Sequence, residues 1–338
     1  MKILLIGAGA VGTWIGANLL RVGHAVTFVG RDAFVGAARS SGLRLALPGG
    51  DAWRCEPSAL RACASVAEAM SGAEAYDAAM LCVKAYALDA ALAELQPHAE
   101  RVGRIVTFQN GVGSEERAAE HFGRARVTAA TLTSPVSSVG PGEIALDRSG
   151  GGVGVADLDA ASGFAARMAR ECGTDAMPVQ AFADYRAMKW SKMLLNIVGN
   201  ATSALFDMDV AQVYADRRLF DLEMRMVREC LAVMRAQRIA VVDLPGYSAR
   251  AFARAVRVLP NTLARLVLAR RVARGRGGKR PSFYYDVANR TGRTEADALN
   301  GRIAEAGERC GVATPVNRWL VEEMQRRVRE PGPSTPPR

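Results

Sequence analysis

Histidine is scarce in this 338-residue chain: His24, His98 and His121 are the only three, and none neighbours a cysteine pair. That leaves little material for a Ser-His-Asp or Cys-His catalyst and argues against a zinc site. The six cysteines, at 55, 63, 82, 172, 230 and 310, include no CxxC and no regular spacing. Such scatter fits buried thiols in a reducing compartment better than a disulfide framework. No stretch offers about 18 uninterrupted apolar residues, so a membrane span is not expected. The apolar run behind Lys2 carries its glycines in a fingerprint and lacks a convincing cleavage site, so it reads as folded protein rather than a leader. The expectation is a soluble, cytoplasmic protein.

Acidic residues are missing from one region. From Arg250 to Arg280 there are ten basic residues and no Asp or Glu, which accounts for the whole net charge of +10. Phe252 is the only aromatic there, and no nucleic-acid motif is present, so a nucleic-acid partner is not expected. Ala251, Phe252, Ala255, Val256, Leu263, Leu266, Val267 and Leu268 interleave the arginines, which predicts amphipathic helices with a solvated basic face. A positive rim of this kind would assist the approach of anions.

What is present is an ordinary globular composition, 49% apolar and 23% charged, over a length that suits two domains of roughly 150 residues. The first half alternates short apolar runs (2–6, 25–30, 76–84, 104–110) with helical patterns (Ala10 to Val22, Tyr86 to Leu95). Strands alternating with helices predict parallel βαβ units and a doubly wound, Rossmann-type sheet. Residues 126–147 have hairpin character, with Pro141-Gly142 as the turn, and 149–156 reads as a turn into another strand. Helical patterns dominate after Ala183: 184–206, 215–237, 247–258, 261–273, 295–310 and 315–329. The predicted division is 1–183 for a dinucleotide-binding α/β domain and 184–329 for an all-helical domain. Arg274 to Lys279 reads as a loop, and 330–338 as a disordered tail.

Gly7-Ala8-Gly9-Ala10-Val11-Gly12 is a G-x-G-x-x-G directly after a strand and opening a helix. Gly7 permits the tight turn, Gly9 the approach of a pyrophosphate, and Gly12 the packing of helix on strand. Arg31 stands at the end of the second strand, where an arginine accommodates the 2′-phosphate of NADP; the rival is Asp32 accepting ribose hydroxyls, as in NAD enzymes. Lys84 and Asn110 close two further strands, on the side where doubly wound sheets bind ligands. Each also has a plain reading, Asn-Gly as a turn and Lys84 as a solvated lysine.

Lys192 sits among Met193, Leu194, Leu195, Ile197 and Val198, with Asn196 and Asn200 at i+4 and i+8. On one helix these three polar groups form a stripe. A lysine there can supply the proton that a ketone oxygen needs as hydride reaches its carbon. The alternative is that Lys189 and Lys192 snorkel at the helix surface. Late in the chain, Thr294 is placed to cap a helix beginning at Glu295.

Taken together, GAGAVG, Arg31, CVKAY, FQNGVGSEE, GPGEI, WSKMLLNIVGNATSAL and GRTEADALNG resemble the ketopantoate reductase (2-dehydropantoate 2-reductase) family over nearly the whole chain. The resemblance implies a second domain like that of 6-phosphogluconate dehydrogenase and NADPH-dependent reduction of a 2-oxo acid. It implies Lys192 as general acid and Glu295 as the residue that binds and orients the substrate hydroxyl. Asn110 would anchor substrate or nicotinamide, Asn196 and Asn200 would line the substrate pocket, and Ser282 would hold the substrate carboxylate. Lys84 would lie on the cofactor side, with residues Gly7, Ala8, Gly9, Ala10, Val11 and Gly12 and with Arg31. A homodimer is one assembly expected of such a protein. Phe283-Tyr284-Tyr285 brings aromatic bulk beside Ser282, and the interval to Glu295 is one residue longer than in compact members. Reduction of another 2-oxo acid is therefore the alternative, and a non-catalytic NADP(H)-binding regulator a further one.

Overall fold

The computed structural model describes residues 1–72, 74–276, 282–288, 294–330 and 332. Two compact units divide it. The first comprises Met1–Gln109, Gly113–Lys189 and Leu244–Tyr247; the second comprises Asn110–Val112, Trp190–Asp243 and the described residues from Ser248 on.

Twelve strands belong to the first unit: β1 (Lys2–Ile6), β2 (Ala25–Val29), β3 (Leu43–Ala46), β4 (Ala52–Cys55), β5 (Arg61–Cys63), β6 (Tyr76–Leu81), β7 (Val102–Thr107), β8 (Val127–Leu132), β9 (Val136–Gly140), β10 (Glu143–Leu146), β11 (Val153–Asp157) and β12 (Val179–Ala181). Eight form one sheet in the order β12-β11-β8-β7-β6-β1-β2-β5. Every pair is parallel except β8–β11. The run β5-β2-β1-β6-β7-β8 has the Rossmann order, and the order reverses at β1, next to β2 and β6. Strands covered on both faces must be apolar on both. KILLI and YDAAML meet that demand: Ile3, Leu4, Leu5, Ala78, Ala79, Met80 and Leu81 are fully buried. Each of the large ones contributes about 1.5–3 kcal/mol.

The second sheet, β4-β3-β10-β9, was not anticipated in full. Its β9–β10 hairpin turns at Pro141-Gly142 as expected, with Gly142 at φ +76°. Strands β3, β4, β5 and β12, each three or four residues long, are not among those expected from the sequence.

The second unit is helical and packs around Arg217–Ala236, which buries Phe220, Met224, Val227, Leu231 and Met234. Phe220 meets Tyr214 edge-on, with ring centroids 5.4 Å apart. The predicted helix 184–206 is in fact two, Tyr185–Ile197 and Asn200–Phe206, broken at Gly199 with φ +61°. A Cβ at that glycine would press on the Val210 side chain, 2.7 Å away. The predicted helix from Glu295 begins as a π-turn, Asp297–Gly301, before Arg302–Cys310.

Helix Ala249–Val258 has the expected basic face: Ala249, Ala253 and Val256 are buried and Arg250, Arg254 and Arg257 exposed. Asn261–Arg276 departs from the expectation. Leu263, Leu266 and Val267 are 51%, 67% and 44% exposed, because Ala264 and Leu268 make its buried contact. This helix also continues to Arg276, three residues past the predicted end; 277–281 lie outside the described residues, as do 331 and 333–338 of the expected tail. No helix among the described residues is long and apolar enough to cross a membrane.

Candidate active site

The first unit supplies a nucleotide-type loop at the point where the strand order reverses. Gly7 follows β1 at φ +102°, and a Cβ there would lie 2.6 Å from the Val83 backbone nitrogen. At Gly12 a Cβ would overlap the Gly7 carbonyl oxygen. Gly9 is different: a Cβ there would meet nothing within 4 Å, so its missing side chain opens space instead of relieving a clash. Gly9 is also the N-cap of Ala10–Arg21, a helix start with no side-chain cap and no acidic residue in its first turn. Unclaimed first-turn N–H groups and the positive end of the dipole suit a phosphate. Ala8, Ala10 and Val11 are half-buried between these glycines. A dinucleotide therefore fits this loop.

Arg31 ends the segment after β2 and is the exposed N-cap of Asp32–Ser41. No carboxylate among the described residues pairs with it. Asp32 is also exposed, in the first turn. Lys84 is exposed just beyond β6. Cys82, near the loop, is half-buried, and desolvation pushes its thiol pKa up.

Beyond β7, Gln109 is 3% exposed and its Nε2 donates to the Leu81 and Val83 carbonyls at 2.9 and 3.1 Å. The ends of β6 and β7 are thereby tied together. A second buried group stands on Gln109. Lys189 Nζ donates to its carbonyl oxygen at 2.6 Å and pairs with Glu115 Oε1 at 2.7 Å. Lys189 is 2% exposed, which overturns the reading of it as a snorkelling surface lysine.

The second unit gathers most of the remaining candidates. Lys192 is half-buried on Tyr185–Ile197, with Met193 and Leu194 fully buried beside it. Asn196, one turn later, donates from Nδ2 to Asn110 Oδ1 at 3.3 Å. Asn110 is exposed, and Gly111 follows at φ +92°; a Cβ on Gly111 would overlap the Ala298 carbonyl oxygen. The Asn110-Gly111 turn thus packs on the π-turn that follows Glu295. Glu295 is 5% exposed, and Thr294 Oγ1 accepts from the Ala296 N–H at 3.2 Å; this is not the helix cap expected of Thr294, because the helical turn starts at Asp297 with Ala296 as its N-cap and no side-chain cap.

Asn200 does not continue the Lys192–Asn196 stripe, because the helix breaks at Gly199. It opens the next helix, buried, and its Oδ1 accepts from the Phe283 N–H at 3.3 Å. Buried Glu223 secures that break, accepting from Gly199 N–H at 2.8 Å, Thr202 Oγ1 at 2.7 Å and Tyr214 OH at 3.2 Å. Ser282 begins the Ser282–Ala288 helix next to this contact; its side chain lies outside the described residues. Phe283 is fully buried in the helical core, so of the three aromatics it adds nothing to a pocket wall.

Sequence reasoning missed Glu115, Lys189, Gln109 and Glu223. The one signal available was a second lysine, Lys189, three residues before Lys192 in the same apolar helix.

Family comparison covers both units. The description "Ketopantoate reductase PanE/ApbA" matches residues 3–159, and its C-terminal counterpart matches 184–327. A 2-dehydropantoate 2-reductase of Halobacterium salinarum is 27% identical over 333 residues, covering 95% of this chain and 97% of that one. Among solved structures, a PanE/ApbA family ketopantoate reductase from Ralstonia eutropha JMP134 superposes with TM-score 0.77 at 24% identity, covering 97% of this chain and 98% of that one. D-mandelate dehydrogenase, solved with NADH and anilino(oxo)acetate, gives TM-score 0.79 at 21% identity, with coverages of 97% and 98%. With family models matching along both units and relatives aligned end to end, this oxidoreductase chain belongs to the ketopantoate reductase family.

Proposed function

We propose that the chain reduces 2-dehydropantoate to pantoate, with NADPH as the cofactor. One observation carries most of the weight: Lys192 is half-buried beside two core residues and one turn from Asn196, which in turn holds Asn110. A lysine kept partly out of water and flanked by amides is a suitable acid for a ketone oxygen. When bound, NADPH supplies the hydride.

In this reading residues 1–183 form the NADP-binding domain and 184–329 the substrate and catalytic domain. Residues Gly7 to Gly12 receive the pyrophosphate, Lys84 and Asn110 assist at the cofactor, and Arg31 faces the 2′-phosphate. Among the described residues no carboxylate pairs with Arg31, which supports NADP over NAD, since the guanidinium remains available to an anion. Lys192 holds the proton delivered to the substrate's keto oxygen. Glu295 orients the substrate hydroxyl, while Asn110, Asn196, Asn200 and Ser282 bind the rest of the molecule. The six free thiols suit a cytoplasmic enzyme, and a homodimer is the assembly we assign to it.

The test is NADPH oxidation with ketopantoate. Wild-type turnover that falls by about 10²- to 10⁴-fold in Lys192→Ala supports the mechanism. No turnover by wild type rejects the substrate, and full activity in Lys192→Ala rejects the acid.

A second reading is reduction of a 2-oxo acid with an aromatic chain. It is favoured by the fold shared with D-mandelate dehydrogenase and by Tyr284, half-buried two residues after Ser282. Higher kcat/KM for such an acid than for ketopantoate would select it.

A further inference from the structure

Lys189 has a complete set of acceptors in the interior of the first unit. Its ammonium donates to the Gln109 carbonyl at 2.6 Å and, more weakly, to the Ala130 carbonyl at 3.4 Å, and it meets Glu115 Oε1 at 2.7 Å. An ammonium has three donors, and all three are used. Glu115 is 1% exposed, and its Oε1 also accepts from Thr107 Oγ1 at 3.1 Å. Buried ion pairs of this kind are often no more stabilising than apolar side chains of the same size. Stability alone therefore does not account for this pair. Geometry offers an account.

The Gln109 carbonyl and the Asn110 N–H belong to one planar peptide group. Fixing that oxygen fixes the plane from which Asn110 departs. Gln109 is held at its other end too, by its side chain on the Leu81 and Val83 carbonyls. The residue before Asn110 thus has no freedom to rotate. Asn110 itself is exposed and precedes a left-handed glycine; Asn196 meets its side-chain amide at 3.3 Å, and the Gln109 carbonyl fixes the backbone from which that side chain departs.

We propose that Lys189 and Glu115 are positioning residues for the reduction: they lock the Gln109–Asn110 peptide plane so that Asn110 presents its amide in a single orientation. This rests on the reductase reading, in which Asn110 anchors substrate or nicotinamide.

The experiment uses the full chain and four variants: Lys189→Met, the paired Lys189→Met/Glu115→Gln, Asn110→Ala, and the triple combination. The paired variant removes both charges, so it avoids the misfolding that one stranded buried charge would cause. Urea melts, steady-state kinetics with NADPH and ketopantoate, and hydrogen exchange of the peptide spanning 108–112 are measured on each. The paired variant should stay close to wild-type stability but lose on the order of 10²-fold in kcat/KM. The triple variant should be no slower than Asn110→Ala. Amides of 108–112 should exchange faster by about tenfold, with the rest of the sheet unchanged. Wild-type kcat/KM in the paired variant overturns the proposal, as does a full additional loss on top of Asn110→Ala. Should wild type reduce no 2-oxo acid, the reductase reading fails. Exchange then decides the positioning claim separately: faster exchange confined to 108–112 sustains it, and unchanged exchange refutes it.

Discussion

Lys189 Nζ and Glu115 Oε1 lie 2.7 Å apart with side chains only 3% and 1% exposed, an ion pair wholly inside the sheet unit. Removing one partner leaves the other charge buried and uncompensated. Lys189→Met should therefore destabilise the protein by about 3–5 kcal/mol, and Lys189→Met/Glu115→Gln should recover most of that loss. Urea denaturation of the single and paired variants measures both; equal stability of the two would show that the charge is not what matters.

Gly9 and Gly12 should separate binding from folding. Gly9 has an ordinary backbone, φ −84°, and open space where a Cβ would go. Gly9→Ala should leave Tm unchanged and weaken NADPH binding about tenfold, or about 1.4 kcal/mol. Gly12→Ala, whose Cβ would strike the Gly7 carbonyl, should lower Tm as well. Calorimetry and cofactor titration on the two variants give the comparison.

Arg31→Ala should change cofactor preference without affecting NADH. A charge-assisted contact to a phosphate is worth about 1.5–3 kcal/mol, roughly a 10- to 100-fold loss of kcat/KM with NADPH. An equal loss with both cofactors would remove Arg31 from the 2′-phosphate and return Asp32 to consideration.

Alkaline pH should weaken the fold through its buried thiols. Burial, aided by Glu171, pushes the Cys172 thiol up to about 12, and Cys82 and Cys230 are also driven upward by burial. A folded-state pKa above the unfolded one means that the folded protein holds the proton more tightly. That contribution is complete below the unfolded thiol pKa of about 8.5 and is lost as pH rises from there toward the folded value. Urea midpoints should fall from about pH 9 upward, and Cys172→Ala should flatten the decline. A midpoint that is flat to pH 11 would contradict this assignment.

Much of the first unit was legible because its signals are local. KILLI followed by Gly7, Gly9 and Gly12 contains strand, turn and helix start within a dozen residues. Lys192 and Asn196 were legible as neighbours for the same reason, lying one turn apart on one helix. Contacts between distant segments were not. Lys189 reaches a carbonyl 80 residues away, and nothing in a run of apolar residues distinguishes a buried, paired lysine from a solvated one. The β3–β10 pairing likewise joins segments about a hundred residues apart through strands of four residues each. The break at Gly199 depends on Val210 and on Glu223, which occupies the freed N–H. A reading by helical periodicity therefore ran straight through it and placed Asn200 on the wrong helix.

The π-turn at Asp297–Gly301 is, in effect, one residue wound into a helix without lengthening the structure around it. A residue added or removed there would be absorbed locally, because the Arg302–Cys310 helix can keep its place while the turn tightens or loosens. What such an event changes is direction. Taking one residue out would swing Glu295 by roughly 100° about the helix axis. A change of length in this short stretch would then act as a dial on the acidic side chain just before it, with the core of the helical unit left as it is.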